Sequence, residues 1–264
     1  MTTKLALIPG ATRPLTIEYQ WIDAQAPDAP LLVFLHEGLG SISMWRDFPH
    51  RLCEAGGFRG LVYSRPGYGL STPRAADEKW STRFMHQQAQ EVLPDLLSAL
   101  SIDVEKQKPW LFGHSDGASI ALLHASRYPD RVSGAVVLAP HLFVEDLSVD
   151  SIAKVRTTYR ETGLREKLAR YHADVDSAFW GWNDIWLDPA FRDWNIEKEV
   201  ARIRCPVLAI QGVNDEYGTM RQIDRIAELV PGAELLKLEA CGHSPHRDQP
   251  EKVIEATVRW ISQT

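Results

Sequence analysis

The chain has 264 residues, a formal net charge of −6 and a pI near 5.9. This acidic balance gives a nucleic-acid role no electrostatic support, and no apolar run approaches the roughly 20 residues of a membrane-spanning helix. Three cysteines, Cys53, Cys205 and Cys241, are too sparse for a disulfide framework, and the length suits one α/β domain with an insertion.

The N-terminal ten residues carry one lysine and a short apolar patch cut by Pro9. That is too short for a signal peptide, so a cytoplasmic location is expected. Residues 15–22 alternate as a strand, and 24–30 form a polar, Pro-bounded turn. The unbroken apolar run 31–35 predicts a strand buried on both faces of a parallel sheet. Residues 43–55 predict a helix closed by Gly56 and Gly57, and 60–63 the next strand. Residues 80–100 read as a helix with a kink or restart at Pro94. An apolar run at 109–112 leads into Gly113-His114-Ser115-Asp116-Gly117, followed by helix formers over 118–127. Residues 132–139 read as a buried strand.

The alternation then stops. Residues 141–202 hold only helical patches and are read as a helical cap inserted into a core made of 1–140 and 203–264. The charged stretch 154–170 reads as a solvated helical surface, with Glu161–Arg165 and Glu166–Arg170 at i,i+4; a phosphate site is the competing reading. Trp180, Trp182 and Trp186 cluster in the second half of the cap. At helical spacing Trp182 and Trp186 share a face on which Trp180 does not directly lie; they either bury against the main domain or line an acyl pocket, with His141 at its mouth. Beyond the cap come a strand at 205–210, a polar turn at 211–216, a helix at 220–230, a strand at 234–238 and a turn at 240–245. No internal repeat is present.

G-x-S-x-G between a strand and a helix is the setting of a nucleophile elbow. Ser115 there projects above a helix N-terminus, whose free N–H groups suit a developing oxyanion. A serine hydroxyl needs a base and the base an orienter. His243 and Asp215 both leave the carboxyl ends of predicted strands, where an open α/β sheet places its chemistry. Glu216 is the alternative orienter, one residue later. His243 and His246 lie three apart, but Pro245 between them and the lack of further ligands point to a surface turn rather than a metal site.

These residues resemble the α/β-hydrolase fold over nearly the whole chain. The order Ser115, Asp215, His243 is the family's order. His36-Glu37-Gly38-Leu39-Gly40-Ser41 stands where the family carries its oxyanion loop. The segment 64–71 resembles its Gly-x-Gly-x-Ser loop, and 241–245 its histidine turn. Glu37 departs from the family's usual glycine. The resemblance implies a doubly wound, mostly parallel sheet under a helical cap. It implies a serine hydrolase of a small carboxylic ester, aromatic or hydrophobic parts included, that needs no metal or organic cofactor.

Ser115, Asp215 and His243 would be catalytic, and the oxyanion donors would be the backbone N–H of Asp116 with that of Gly38 or Leu39. The Ser-Asp-Gly elbow with Gly-Leu-Gly-Ser is also similar to amino-acid ester hydrolases of the valacyclovir-hydrolase type. That likeness implies that Asp116, with Glu37, binds a substrate ammonium group. The other reading of Asp116 is an acid favoured by the helix dipole alone, and Arg65, at the end of the next strand, is the candidate protein cation for the two acids. Thioester or C–C bond hydrolysis, and a ligand receptor that turns over very slowly, are the competing functions.

Overall fold

A computed structural model describes residues 3–10, 12–26, 28–75 and 77–264. Eight strands form one sheet: β1 (Lys4–Ile8), β2 (Leu15–Ile22), β3 (Leu31–Leu35), β4 (Arg59–Tyr63), β5 (Trp110–His114), β6 (Gly134–Leu138), β7 (Val207–Gly212) and β8 (Glu234–Leu238). Their spatial order is β1-β2-β4-β3-β5-β6-β7-β8. β1 and β2 are antiparallel to each other, β2 is antiparallel to β4, and every later pairing is parallel. β3, β5, β6 and β7 are buried at every position, because helices cover both faces of the parallel region.

Register explains how the sheet divides two cores. Val62, Phe34, Phe112, Val136 and Leu208 are successive cross-strand partners. They pack with Trp45, Phe48, Val253 and Trp260, which come from the segment around α1 (Phe48–Gly56) and from the C-terminal helix (Pro250–Gln263). The alternate residues Val33, Leu111, Ala135 and Ala209 face the other layer.

Several elements differ from their sequence patterns. β1 was expected only as a short apolar patch, yet it pairs with β2 from Lys4↔Tyr19 to Ile8↔Leu15. As an edge strand with Leu5 and Leu7 exposed, it lacks the continuous apolar run of a central strand. The helix expected over 43–55 is a 3₁₀ turn (Ile42–Trp45) followed by α1, with Arg46 at φ 55 between them. Pro49 explains the restart, since proline suits the first turn of a helix. The segment 80–100 turns helical at α2 (Phe84–Gln87), passes through a π-turn (Gln88–Val92), and restarts as α3 (Leu93–Ala99) with Pro94 in its first turn. Proline cannot donate to the carbonyl four residues back. The Gln90 carbonyl instead accepts from Tyr128 Oη at 2.9 Å, and the Ala89 carbonyl from His124 Nδ1 at 2.7 Å.

The elbow helix is α4 (Asp116–Arg127). Between β6 and β7 the chain runs through α5 (Asp146–Glu161), α6 (Leu164–Leu168), α7 (Val175–Trp186) and α8 (Glu197–Val200). Extended backbone at Thr162 ends α5, so Glu161 and Arg165 do not share a helix. Arg165 pairs instead with Asp176, and Arg156 with Asp184 at 2.9 Å, which ties α5 and α6 to α7. α9 (Arg221–Leu229) and α10 (Pro245–Asp248) flank the last strand, and α11 (Pro250–Gln263) ends the chain.

Candidate active site

Ser115 joins β5 to α4 with φ 54 and ψ −121, a sparsely populated region that costs about 1–3 kcal/mol for a non-glycine residue. Glycines stand two residues to either side of it because backbone passes too close there for any side chain. A Cβ on Gly113 would stand 2.4 Å from the Gly117 carbonyl oxygen, and one on Gly117 2.1 Å from that of Leu35. The Ser115 N–H donates to the Leu138 carbonyl at 2.9 Å, which anchors the elbow to the end of β6.

His243, in the turn after β8, reaches Ser115 Oγ with Nε2 at 2.9 Å and Asp215 Oδ1 with Nδ1 at 2.8 Å. Asp215 accepts elsewhere too. Its Oδ1 takes the N–H groups of Tyr217 (2.8 Å) and Gly218 (3.2 Å), and its Oδ2 takes Gln211 Nε2 (3.1 Å). A carboxylate surrounded by donors forces Nδ1 to carry the ring proton, which leaves Nε2 free to accept from Ser115. Burial raises the Asp215 carboxyl, but the charge and hydrogen bond of His243 and the Tyr217 N–H outweigh it, and the group lies below its usual range. Burial lowers His243, but Asp215, Glu216 and Glu37 hold it above the ordinary histidine value. Glu216 does not orient the ring: its Oε2 accepts the backbone N–H of His243 at 3.1 Å.

The loop after β3 is pinned through one carbonyl. Glu37 C=O accepts from Gly40 N–H (3.1 Å), Arg65 Nη2 (2.9 Å) and His36 Nδ1 (2.7 Å). His36 Nε2 accepts the Arg65 N–H at 2.9 Å. Burial and the Arg65 charge keep this ring neutral, well below the usual histidine pKa. In a trans peptide the N–H points opposite to the carbonyl, so the Gly38 N–H is directed away from these donors. The Leu39 carbonyl accepts from His172 Nε2 at 3.0 Å, while His172 Nδ1 accepts the Gly69 N–H at 3.0 Å.

Ser115, Asp116, Glu37, Gly38, Leu39, His141 and His243 all line one cleft of ≈ 250 Å³, whose apolar wall is Ile152, Val155, Trp182, Trp186 and Tyr217. Trp182 lies over the loop so closely that a Cβ on Gly38 would be 2.1 Å from its Nε1. Trp186 Nε1 donates to Asp116 Oδ1 at 3.1 Å. The His141 ring meets Trp186 edge-on at 4.9 Å and stands 5.8 Å from His243. Burial pushes it down to about 3, so it is neutral.

Trp180 is a correction. It sits two residues from Trp182, which is 200° around the helix, and turns to α5. There Arg160 lies 5.0 Å over its ring and Tyr159 meets it at 5.6 Å. His246 is a second correction. It is buried rather than on a surface turn, 4.8 Å from Trp45 and 4.7 Å from His114. Among the described residues no cluster of His, Cys, Asp or Glu is placed to hold a metal ion.

The two acids expected to meet a substrate ammonium group have protein cations. Asp116 Oδ2 lies 3.7 Å from Arg65 Nη2, both fully buried. Burial raises the Asp116 carboxyl, and Arg65 and Trp186 offset this only in part. Glu37 meets Arg247 at 3.3 Å and His114 at 3.5 Å.

The model of the alpha/beta hydrolase family matches residues 32–256. The chain belongs to the alpha/beta hydrolase family. This hydrolase is 24% identical over 280 residues to the sn-1-specific diacylglycerol lipase ABHD11 of Mus musculus, covering 95% of this chain and 86% of that protein. It is 26% identical over 198 residues to the serine hydrolase BPHL of Homo sapiens, covering 72% of this chain and 64% of that one. A thermophilic esterase from Thermogutta terrifontis shares its fold, with a TM-score of 0.74, 19% identity and coverage of 100% and 99%. In this hydrolase, sequence reasoning passed over His172, Gln211 and Arg247. None sits in a motif, and each earns its place only by reaching a loop more than thirty residues away or a turn folded back upon it.

Proposed function

We propose that this protein is a serine hydrolase that cleaves a small carboxylic ester through an acyl-enzyme on Ser115. One observation carries the reading: the unbroken Ser115–His243–Asp215 array, at 2.9 and 2.8 Å, set on a strained elbow. Ser115 Oγ attacks the acyl carbon while its proton passes to His243 Nε2, and the carbonyl electron pair moves onto oxygen. Asp215 holds the tautomer and stabilises the imidazolium.

The oxyanion faces the N–H of Asp116, which as the first residue of α4 has no intrahelical acceptor. The second donor is the Gly38 N–H, favoured over that of Leu39 by the pinned Glu37 carbonyl. Each such donor contributes about 3 kcal/mol. The carbonyl re-forms, His243 returns its proton to the leaving alkoxide, and water repeats the sequence on the acyl-enzyme. A cleft of ≈ 250 Å³ walled by Trp182, Trp186, Ile152 and Val155 supports a small apolar acyl or alcohol group. With Arg65 and Arg247 beside the two acids, neutral esters fit as well as cationic ones.

The test is labelling with an alkyl fluorophosphonate together with turnover of nitrophenyl esters. The wild type takes one phosphonyl group on the Ser115 peptide and cycles through many equivalents of ester. Ser115→Ala takes no label, loses nearly all turnover and keeps its melting temperature. Undiminished turnover in Ser115→Ala would refute the assignment, and release of a single equivalent followed by a stall would favour a receptor.

A further inference from the structure

Glu37 stands where the resemblance implies glycine; it lines the cleft, and its carboxylate has protein partners. It folds back over its own loop, so that a Cβ on Gly40 would be 2.5 Å from Oε2. Oε2 lies 3.5 Å from His114 Nδ1, and Oε1 lies 3.3 Å from Arg247 Nη2. The same Arg247 nitrogen donates to the Met44 carbonyl at 3.0 Å. The other ring nitrogen of His114, Nε2, lies 2.7 Å from the backbone carbonyl of His243. A carbonyl only accepts, so that nitrogen carries hydrogen, and Nδ1 can donate to the Glu37 carboxylate only when the ring holds a second proton.

We propose that Glu37 and His114 form a positioning pair that holds the oxyanion loop and the catalytic-histidine turn as one unit, with Arg247 as its outer brace. The proposal rests on the serine-hydrolase reading above. Its physical basis is connectivity. Glu37 immediately precedes the Gly38 N–H, His114 immediately precedes Ser115, and the His243 carbonyl belongs to the residue that carries the base. One chain of contacts therefore links the nucleophile, the oxyanion donor and the base through side chains that touch no reacting atom. Loosening it should displace these groups relative to one another. A displacement of about 1 Å in such a site can cost a hundredfold in rate.

The pair also solves an electrostatic problem. An acid beside a developing oxyanion opposes it, unless that acid is turned onto cations. Burial raises the Glu37 carboxyl, but the neighbouring His114, Arg247 and His246 bring it well below its usual range. Glu37 thus stays ionised at the wall of the cleft beside Arg247, and its charge still acts on the base. The groups facing His243 are the acids Asp215, Glu216 and Glu37, the rings of Tyr217 (4.7 Å), His114 (5.2 Å) and His141 (5.8 Å), and Asp116 beside the serine. Removing one acid from that set should make the imidazolium easier to deprotonate.

The full chain is tested with nitrophenyl acetate from pH 5 to 9. Glu37→Gln should lower kcat about tenfold with KM nearly unchanged, and should move the acid limb of kcat to lower pH. His114→Gln, whose amide can still donate to the His243 carbonyl, should retain more activity than His114→Ala. Arg247→Gln, at the exposed end, should cost least. Wild-type kcat and an unmoved limb in Glu37→Gln would overturn the proposal. So would a loss confined to KM for α-amino esters, which would make Glu37 a substrate ligand. Should Glu37→Gln fail to fold, the His114 pair of variants decides: equal rates in His114→Gln and His114→Ala would refute it. Ser115→Ala, run alongside, separates the two levels, because its inactivity together with a silent Glu37→Gln removes the positioning pair and leaves the serine hydrolase.

Discussion

Asp215→Asn tests the arrangement most sharply, because both oxygens of Asp215 already accept hydrogen bonds. The asparagine amide must place its NH₂ at one of two sites. At the Oδ2 site it faces Gln211 Nε2, 3.1 Å away in the native protein, a clash of two donors. Gln211 cannot reverse its amide freely, since Nε2 also donates to the carbonyls of Gly218 (2.8 Å) and Thr219 (3.2 Å). At the Oδ1 site the NH₂ faces the N–H groups of Tyr217 and Gly218, and it would donate to His243 Nδ1.

That second arrangement moves the ring proton to Nε2, which then cannot take the Ser115 proton. Each buried donor left unpaired costs about 1–3 kcal/mol, so neither state is free of penalty and the wrong tautomer is populated. The expected loss in kcat is about 10⁴-fold, or about 5.5 kcal/mol at 1.4 kcal/mol per tenfold. Steady-state hydrolysis of nitrophenyl acetate measures it, with circular dichroism to show the fold intact.

The pH profile gives an independent reading. In the proposed mechanism catalysis needs neutral His243, and its folded pKa is raised. The wild-type rate should therefore rise with pH through a midpoint above the ordinary histidine value, and the residual rate of Asp215→Asn through a lower one. Activity within tenfold of wild type in Asp215→Asn would refute the argument.

Two further expectations follow from packing. Trp182→Ala and Trp186→Ala should reorder the relative rates on a series of esters, because both rings wall the cleft; Trp180→Ala should leave that order unchanged and lower only thermal stability, and a reordering by Trp180→Ala would show the helix face misassigned. Gly117→Ala places a Cβ 2.1 Å from the Leu35 carbonyl oxygen and should cost about 3 kcal/mol by overpacking together with most activity, whereas Gly232→Ala, with nothing within 4 Å at φ +81, should cost about 1 kcal/mol through backbone strain; urea titration compares the two.

By itself, the sequence determined the parallel core, the elbow and the order of Ser115, Asp215 and His243. The physics behind these is local. A strand buried on both faces must be apolar at every position, as 31–35 is, and a turn with backbone 2.1–2.4 Å from a would-be Cβ must use glycine. Residues at the carboxyl ends of parallel strands converge because the strands are parallel. The edge strand β1 left only a faint trace, since an edge is covered on fewer sides and tolerates exposed Leu5 and Leu7.

Tertiary structure alone decided what faces what. Arg65 was legible as a candidate cation from its place at a strand end, but its contact with Asp116, and that of Arg247 with Glu37 210 positions away, came only from packing. For the tryptophans, helical spacing already separates Trp180 from the face shared by Trp182 and Trp186, but only the docking of α7 decides that this face meets the cleft while Trp180 meets Arg160. Local pattern specifies which groups a chain can bring to a site, and packing specifies the counter-ions that set their charge.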